Sequence, residues 1–96
     1  MSVNIDSLIV RTPNVLGGRP RIDGTRVAVR TIAILYKQGL SPEEITDQYR
    51  QLSLAQVYAA LTYYHVNQAE IESDIADEQA EYDRLASGDN RDRKSA

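Results

Sequence analysis

The sequence predicts a mainly α fold, in which a three-helix, helix-turn-helix-like bundle carries a short N-terminal β arm and a long C-terminal helical extension. Two capping boxes, beginning at Ser41 and Ser53, mark two helix starts close together in the chain. Neither glycine nor proline occurs from residue 53 to residue 87, which favours uninterrupted helix there. Glycine, proline and arginine are instead concentrated in the segment 17–29, ahead of the helical pattern.

The N-terminal part is predicted to form a small β arm. Leu8-Ile9-Val10 is typical of a short strand, and Asp23-Gly24 predicts a turn between two further extended pieces at 21–22 and 25–27. The glycines and proline of 17–29 indicate a backbone held in tight turns, since glycine admits positive φ and proline fixes φ at about −65°. Strands this short predict an appendage on a helical body rather than a sheet domain.

The first two helices follow directly. One is predicted over about residues 30–38, because four apolar residues fall at i, i+3, i+4 and i+7: Val29, Ile32, Ala33 and Tyr36. Gly39 is suited to close it with a left-handed residue. Ser41-Pro42-Glu43-Glu44 then supplies an N-cap, a proline at the first helical position and a glutamate at the third. This second helix is predicted to end near Tyr49.

The third helix is predicted to start after Ser53, and its apolar seam continues far beyond it. The seam positions are spaced alternately by four and three residues: Val57, Leu61, Tyr64, Gln68, Ile71, Ile75, Glu78, Tyr82 and Leu85. This pattern predicts either one unbroken helix or a bend near Asn67. We therefore divide the chain into a helix-turn-helix-like domain with its β arm at 1–66, an acidic amphipathic helical extension at 67–86, and a disordered polar tail at 87–96.

Charge is divided unevenly along the 96-residue chain, whose net charge is −3. Residues 1–37 carry six basic and two acidic side chains, a net +4, and residues 38–96 carry five basic and twelve acidic side chains, a net −7. The asymmetry indicates either two partner surfaces of opposite sign or the chance unevenness of a small domain. The chain has no cysteine and no signal-peptide or membrane-span pattern, so we expect a cytoplasmic protein that does not contact a membrane.

The sequence offers little for catalysis. It contains one histidine, His65, and no hydrolase or phosphate-binding motif. A lone helical histidine is more often a packing or surface residue than a general base. The carboxylates of Asp74, Asp77, Glu78 and Glu81 favour a solvated or docking face over a cation site. We expect no enzymatic activity, no cofactor and no metal.

A helix-turn-helix body would bind DNA through its third helix. With the seam turned inward, five residues are expected to face outward: Ala55, Gln56, Ala59, Thr62 and Tyr63. Gln56 suits adenine and Ala59 suits a thymine methyl, but this face has no lysine or arginine, so phosphate contacts would fall to basic residues elsewhere. The predicted DNA-binding residues are Arg19, Arg21, Arg26, Arg30, Arg50, Gln56, Thr62 and Tyr63, with Lys37 as a further phosphate contact. The alternative is a three-helix core that binds no DNA.

The C-terminal extension is predicted to bind a protein partner, because it carries an apolar stripe that is too long for so small a domain to bury: Ile71, Ile75, Tyr82 and Leu85. Its acidic flanks favour a basic partner. The predicted partner-binding residues are Ile71, Asp74, Ile75, Glu78, Tyr82 and Leu85. Alternatively, the stripe folds back on its own body or pairs with a second copy in a homodimer.

Two segments carry a family resemblance: Gly17-Gly18-x-Pro20-x-Ile22-x-Gly24-Thr25-Arg26-Val27-x-Val29 and Gly39-Leu40-Ser41-Pro42-Glu43-Glu44-Ile45. Over about residues 6–66 the chain resembles the bacterial domain-of-unknown-function family 433. The resemblance implies a homeodomain-like helix-turn-helix domain with a small β arm. This chain lacks a proline that the family pattern often has near residues 49–51.

Members of that family look like VapB-type antitoxins encoded beside PIN-like ribonuclease toxins. The resemblance therefore implies a protein that binds and silences such a toxin through its C-terminal part and represses its own operon as a dimer. The rival interpretation is a non-DNA-binding, homodimeric interaction module in which Arg26 forms hydrogen bonds within the domain.

Overall fold

A computed structural model of the protein describes residues 7–95, with side chains described from 7 to 86. Within this range the chain forms four α-helices: α1 (Val29–Lys37), α2 (Pro42–Gln48), α3 (Leu54–Val66) and α4 (Gln68–Ser95). They are preceded by an antiparallel pair of strands, β1 (Ile9–Val10) and β2 (Arg21–Ile22), with a 3-10 turn at Leu16–Gly18 between them. The fold is mainly α with a short N-terminal β arm, as the sequence predicts.

The β arm is a small sheet closed by a turn. Ile9 pairs with Ile22, and Val10 pairs with Arg21. Past the predicted turn the chain returns alongside β2, since the Ile22 amide donates to the Val27 carbonyl at 2.9 Å. Gly24 in this turn has a φ of 77°, which favours glycine. The Ile22 side chain is fully buried and anchors the arm on the helices.

Both predicted capping boxes are present. At the start of α2, the Glu44 amide donates to Ser41 Oγ at 3.2 Å and the Ser41 amide donates to Glu44 Oε1 at 2.8 Å. At the start of α3, Gln56 and Ser53 make the same two bonds at 3.2 and 2.7 Å. Gly39, with a φ of 99°, follows α1 where a left-handed residue was expected. These local signals fix where the helices of the bundle begin and end.

A bend at Asn67 separates α3 from α4. Asn67 has φ −121° and ψ 45°, outside the helical region, and its Nδ2 donates to the Tyr63 carbonyl at 3.2 Å. Of the two predicted arrangements, the structure therefore has the bent one. The bend turns α4 back so that it contacts both α1 and α3.

The return of α4 closes the hydrophobic core. Ile71 is fully buried in that core, and Ile75 packs against its edge. The core also contains residues from the arm and from each of the other three helices: Ile22, Ile32, Ile45 and Val57. The prediction that Ile71 lies on an exposed partner-binding stripe is therefore wrong, because the bend at Asn67 directs this first part of the stripe onto the chain's own body.

The last part of the chain differs from the sequence-based prediction in its backbone. α4 continues to Ser95, whereas a disordered tail is predicted at 87–96. One glycine, Gly88, and no proline occur in the last ten positions, so the helix meets no strong break. For residues 87–95 the structure describes the backbone and not the side chains. In the part of the chain that the structure describes, no helix combines the length and apolar character needed to cross a membrane.

Candidate functional site

The principal polar feature of the surface is a series of ion pairs between the N-terminal half of the chain and α4. Four cations contribute, which we call the basic surface: Arg11, Arg19, Arg30 and Lys37. Five carboxylates of α4 face them, which we call the acidic face: Glu70, Glu72, Asp74, Asp77 and Glu78. The opposite charges of the two halves of the sequence thus meet within one molecule.

Arg19 and Arg30 contact the middle of the acidic face. Arg19 Nε lies 3.4 Å from Asp74 Oδ1, and its Nη2 lies 3.5 Å from Asp77 Oδ2. Arg30 Nε lies 3.1 Å from Glu78 Oε2, but this buried nitrogen makes no hydrogen bond to any described residue. Two predicted DNA-binding arginines are therefore paired with two predicted partner-binding carboxylates, Asp74 and Glu78.

Arg11 and Tyr63 contact the first carboxylate of the acidic face. Arg11 Nη2 pairs with the Glu70 carboxylate and donates to Tyr63 Oη at 2.9 Å. Tyr63 Oη in turn donates to Glu70 Oε1 at 2.9 Å. Tyr63, predicted to bond a DNA phosphate, already has charged partners within the chain. Arg11 was not among the predicted site residues, and its position in the basic half of the sequence is the signal that could have identified it.

Lys37, Tyr64 and Glu72 form a third contact. Lys37 Nζ donates to both Glu72 oxygens at 2.8 and 2.9 Å, and Tyr64 Oη donates to Glu72 Oε2 at 2.5 Å. The Lys37 hydrogen bond, followed by the Tyr64 one, holds the pKa of Glu72 below its usual value. The same carboxylate, through its hydrogen bonds, raises the pKa of Lys37 and the pKa of Tyr64. This contact fastens α4 to the end of α1.

The other predicted arginines have different surroundings. Arg21 Nη1 donates to the Thr25 carbonyl at 2.8 Å and Nη2 donates to Thr12 Oγ1 at 2.9 Å, so Arg21 is part of the arm's own framework. Arg26 and Arg50 are exposed, and neither has an ion pair or hydrogen bond to a described residue. The internal hydrogen bonds that the rival interpretation assigns to Arg26 are made by Arg21.

The accessible face of α3 is apolar rather than basic. It borders a groove lined by Leu8, Ser53, Ala55, Gln56, Tyr58, Ala59 and Thr62. Ala59 borders this groove but is only 3% exposed, so the expectation that it faces outward is wrong, because its small side chain is buried between its neighbours. Gln56 is held by the capping box, where its Oε1 accepts from the Ser53 amide. Thr62 is exposed, as predicted.

The second half of the α4 stripe is exposed. Every residue from 76 to 85 is exposed, including Tyr82 at 69% and Leu85 at 60%. These two side chains line an open groove of about 680 Å³, which Arg19 and Arg30 also line. The predicted partner-binding residues therefore separate into a buried or paired group and an exposed apolar pair, Tyr82 and Leu85.

His65 is an exposed member of an aromatic cluster. Its ring lies 5.5 Å from that of Tyr36 and 5.2 Å from that of Tyr64, edge-on or tilted. Among the described residues, no three histidine, cysteine, aspartate or glutamate side chains come together as a metal site would require. Three surface features of the described residues are therefore candidates for function: the ion-paired face, the α3 groove and the exposed end of the stripe.

Comparisons with other proteins place the sequence among uncharacterised relatives. The model of the family DUF433, described as a protein of unknown function, matches residues 9–64. A crystal structure of a DUF433 member protein from Anabaena variabilis is 35% identical to this chain, with a TM-score of 0.69 over 75% of this chain and 71% of that one. The search of curated proteins gave no match.

Proposed function

This chain belongs to the DUF433 family, a family of unknown function. From its own residues we propose that it is a non-enzymatic protein that binds a basic protein partner, and from the family resemblance that it is antitoxin-like. The exposure of Tyr82 and Leu85 on an acidic helix is the observation that carries the proposal. The resemblance to VapB-type antitoxins suggests a PIN-like ribonuclease toxin as the partner and the cytoplasm as the location.

The exposed half of α4 has the features of a helix that lies in a partner's groove. Two large apolar side chains project from it with little contact to the body, and apolar groups left in water are usually covered by a partner. Glu78, Glu81 and Asp83 lie close to them in the sequence. Although Glu81 is paired with Arg84, the segment keeps a negative net charge that would steer the helix toward a positive surface. A nuclease cleft that binds RNA phosphates is such a surface, and an acidic helix there would compete with the substrate.

The footprint proposed for the partner is smaller than the stripe predicted from sequence. Ile71 is in the core, and Asp74 is paired with Arg19. The proposed docking segment is therefore residues 78–85, with Tyr82 and Leu85 as its apolar anchors and Glu78, which is exposed but also paired with Arg30, at its edge.

DNA binding is a second candidate function, supported by the three-helix body and by two arginines that have no partner among the described residues. Arg50 lies in the turn just before α3, the helix whose N-terminal residues would enter the major groove, and Arg26 is exposed in the β arm. Repression of the protein's own operon as a dimer would follow from such binding. The alternative remains a homodimeric, non-DNA-binding module, and the apolar α3 groove around Tyr58 favours it.

Co-expression with the product of the adjacent gene, followed by affinity capture of the full-length chain, tests the proposed partner. The double variant Tyr82→Ala/Leu85→Ala should lose the partner, while Val66→Ala, which shortens another exposed apolar side chain at 74% exposure, should retain it. Failure of the folded wild-type chain to capture the adjacent gene product would overturn the proposal. Equal capture by the wild type, the double variant and Val66→Ala would mean that the docking surface lies outside residues 78–85.

A further inference from the structure

We propose that the acidic face of α4 occupies, within its own chain, a binding surface for the phosphate backbone of nucleic acid, so that α4 and phosphates compete for Arg19 and Arg30. The inference rests on the DNA-binding part of the proposed function and adds its regulation. Arg19 extends from the loop before β2 and Arg30 from the first turn of α1, and both converge on Asp74, Asp77 and Glu78. Carboxylates of the chain thus stand where an external anion would bind.

The pairing of these two arginines is incomplete. Each contact is a single approach of 3.1 to 3.5 Å, rather than the paired parallel hydrogen bonds that a guanidinium forms with a carboxylate or phosphate. Arg30 Nε is buried and makes no hydrogen bond to a described residue, although Glu78 is beside it. A phosphate offers several acceptor oxygens to the same donors, so it can satisfy them better than the helix does.

The part of the acidic face that follows Ile75, with Asp77 and Glu78, can move without opening the core, whereas Asp74 lies in the anchored part of α4. Ile71 and Ile75 attach α4 to the body, and both precede Asp77 and Glu78 in the helix. The residues from 76 to 85 are exposed, so displacing them costs little apolar burial. The groove bounded by Arg19, Arg30, Tyr82 and Leu85 gives an external ligand access to the two arginines.

The same segment is the proposed docking site for the protein partner, and this links the two binding events. A partner that takes Glu78 together with Tyr82 and Leu85 removes one carboxylate from Arg30. Nucleic acid that binds Arg30 breaks its ion pair with Glu78, which is then available to the partner. Each ligand should therefore increase the affinity for the other, since linkage between two sites is reciprocal.

Neutralising three carboxylates of the acidic face in the full-length chain tests the proposal. The triple variant Asp74→Asn/Asp77→Asn/Glu78→Gln removes three charges opposite Arg19 and Arg30. The control Asp23→Asn/Glu43→Gln/Asp47→Asn makes the same change in net charge at exposed carboxylates that form no ion pair with a described residue. The affinity of each variant for a fluorescein-labelled random-sequence DNA duplex is measured by anisotropy titration at increasing salt concentrations, with no protein partner present.

Two newly available phosphate contacts should steepen the log–log salt dependence by about 1.8 relative to the control, so that the advantage of the triple variant falls about tenfold between ~50 and ~200 mM salt. Adding Arg19→Gln and Arg30→Gln to the triple variant should abolish that advantage.

Equal DNA affinities of the triple and control variants would overturn the inference. Binding to polyglutamate in preference to DNA would also overturn it. Neither outcome bears on partner capture, and the wild-type chain's affinity for upstream DNA tests the proposed DNA binding separately.

Discussion

Arg21 donates a hydrogen bond from Nη1 to the carbonyl oxygen of Thr25 at 2.8 Å, across the turn that joins β2 to the segment leading into α1. A second bond, from Nη2 to Thr12 Oγ1 at 2.9 Å, ties the same guanidinium to the other side of the arm. The glycine-rich basic segment therefore divides its arginines among three roles, one of which is the pairing of Arg19 with Asp74 and Asp77 of α4. Arg21 maintains the loop, whereas Arg26 points into solvent.

Arg21→Ala should destabilise the fold, whereas Arg26→Ala should not. Loss of charged hydrogen bonds from a partly buried group is expected to cost about 2 kcal/mol, whereas a change at an exposed residue without partners is expected to stay within about 0.5 kcal/mol. Urea denaturation of both variants against wild type measures the difference. Equal unfolding free energies for the two variants would contradict the assignment of Arg21 to the arm's framework.

Arg26→Ala and Arg50→Ala should each weaken DNA binding if the body contacts phosphates. Each lost phosphate contact should lower the log–log salt slope by about 0.9 without changing base preference. Competition titrations with upstream and random duplexes measure both quantities. Glu43→Gln changes the net charge by the same amount in the opposite direction at an exposed residue, and it should not weaken binding. Absence of any wild-type binding at low salt would rule out the DNA function and favour the homodimeric module.

Two substitutions of Gln56 distinguish a helix-capping role from base recognition. Gln56→Ala removes the bond that Oε1 accepts from the Ser53 amide and should cost about 1 kcal/mol of stability, a typical value for a helix cap. Gln56→Glu preserves the capping box and should keep wild-type stability. If Gln56 also contacts a base, both variants lose base preference. Stability loss without any change in DNA preference would restrict the residue to capping.

The elements of this fold are predictable because their signals are local. Ser41, Ser53 and Gly39 act on backbone groups a few residues away, so the helix boundaries follow from short sequence patterns. The course of α4 depends instead on the bend at Asn67, and the sequence is compatible with either a straight or a bent helix. The direction of that bend decides whether Ile71 is a core residue or a docking residue.

The composition of the candidate site was harder to predict for the same reason. Arg19 and Asp77, or Arg11 and Glu70, are distant in sequence and meet only because α4 returns along the body. Charge asymmetry indicated two surfaces of opposite sign but not that they would contact each other. Alternation of arginines in a short loop gives no pattern by which Arg21 could be distinguished from Arg26.

The Glu72 contact predicts an acid-sensitive attachment of α4. Its folded-state pKa lies below the unfolded value of 4.5, so its contribution to stability is present above that pH and is lost as the pH falls through the lower, folded-state value. Urea denaturation between neutral pH and pH values below 4.5 should show this loss, and Glu72→Gln should reduce it. Tyr64→Phe leaves the Lys37 bond in place and should raise the pKa of Glu72, measured by NMR titration. An unchanged pH dependence in Glu72→Gln would contradict the role of this contact.

Ile71 and Leu85 belong to one predicted stripe but should respond to substitution in opposite ways. Ile71 is fully buried, so Ile71→Ala should cost about 2 to 5 kcal/mol through lost burial and a residual cavity. Leu85 is 60% exposed, so Leu85→Ala should leave stability within about 0.5 kcal/mol while weakening capture of the partner. Thermal unfolding and affinity capture on the same samples separate the two effects, and the conservative Ile71→Val should recover most of the stability. A stability loss for Leu85→Ala comparable to that of Ile71→Ala would mean that the end of α4 is packed on the body, and the proposed docking segment would have to be abandoned.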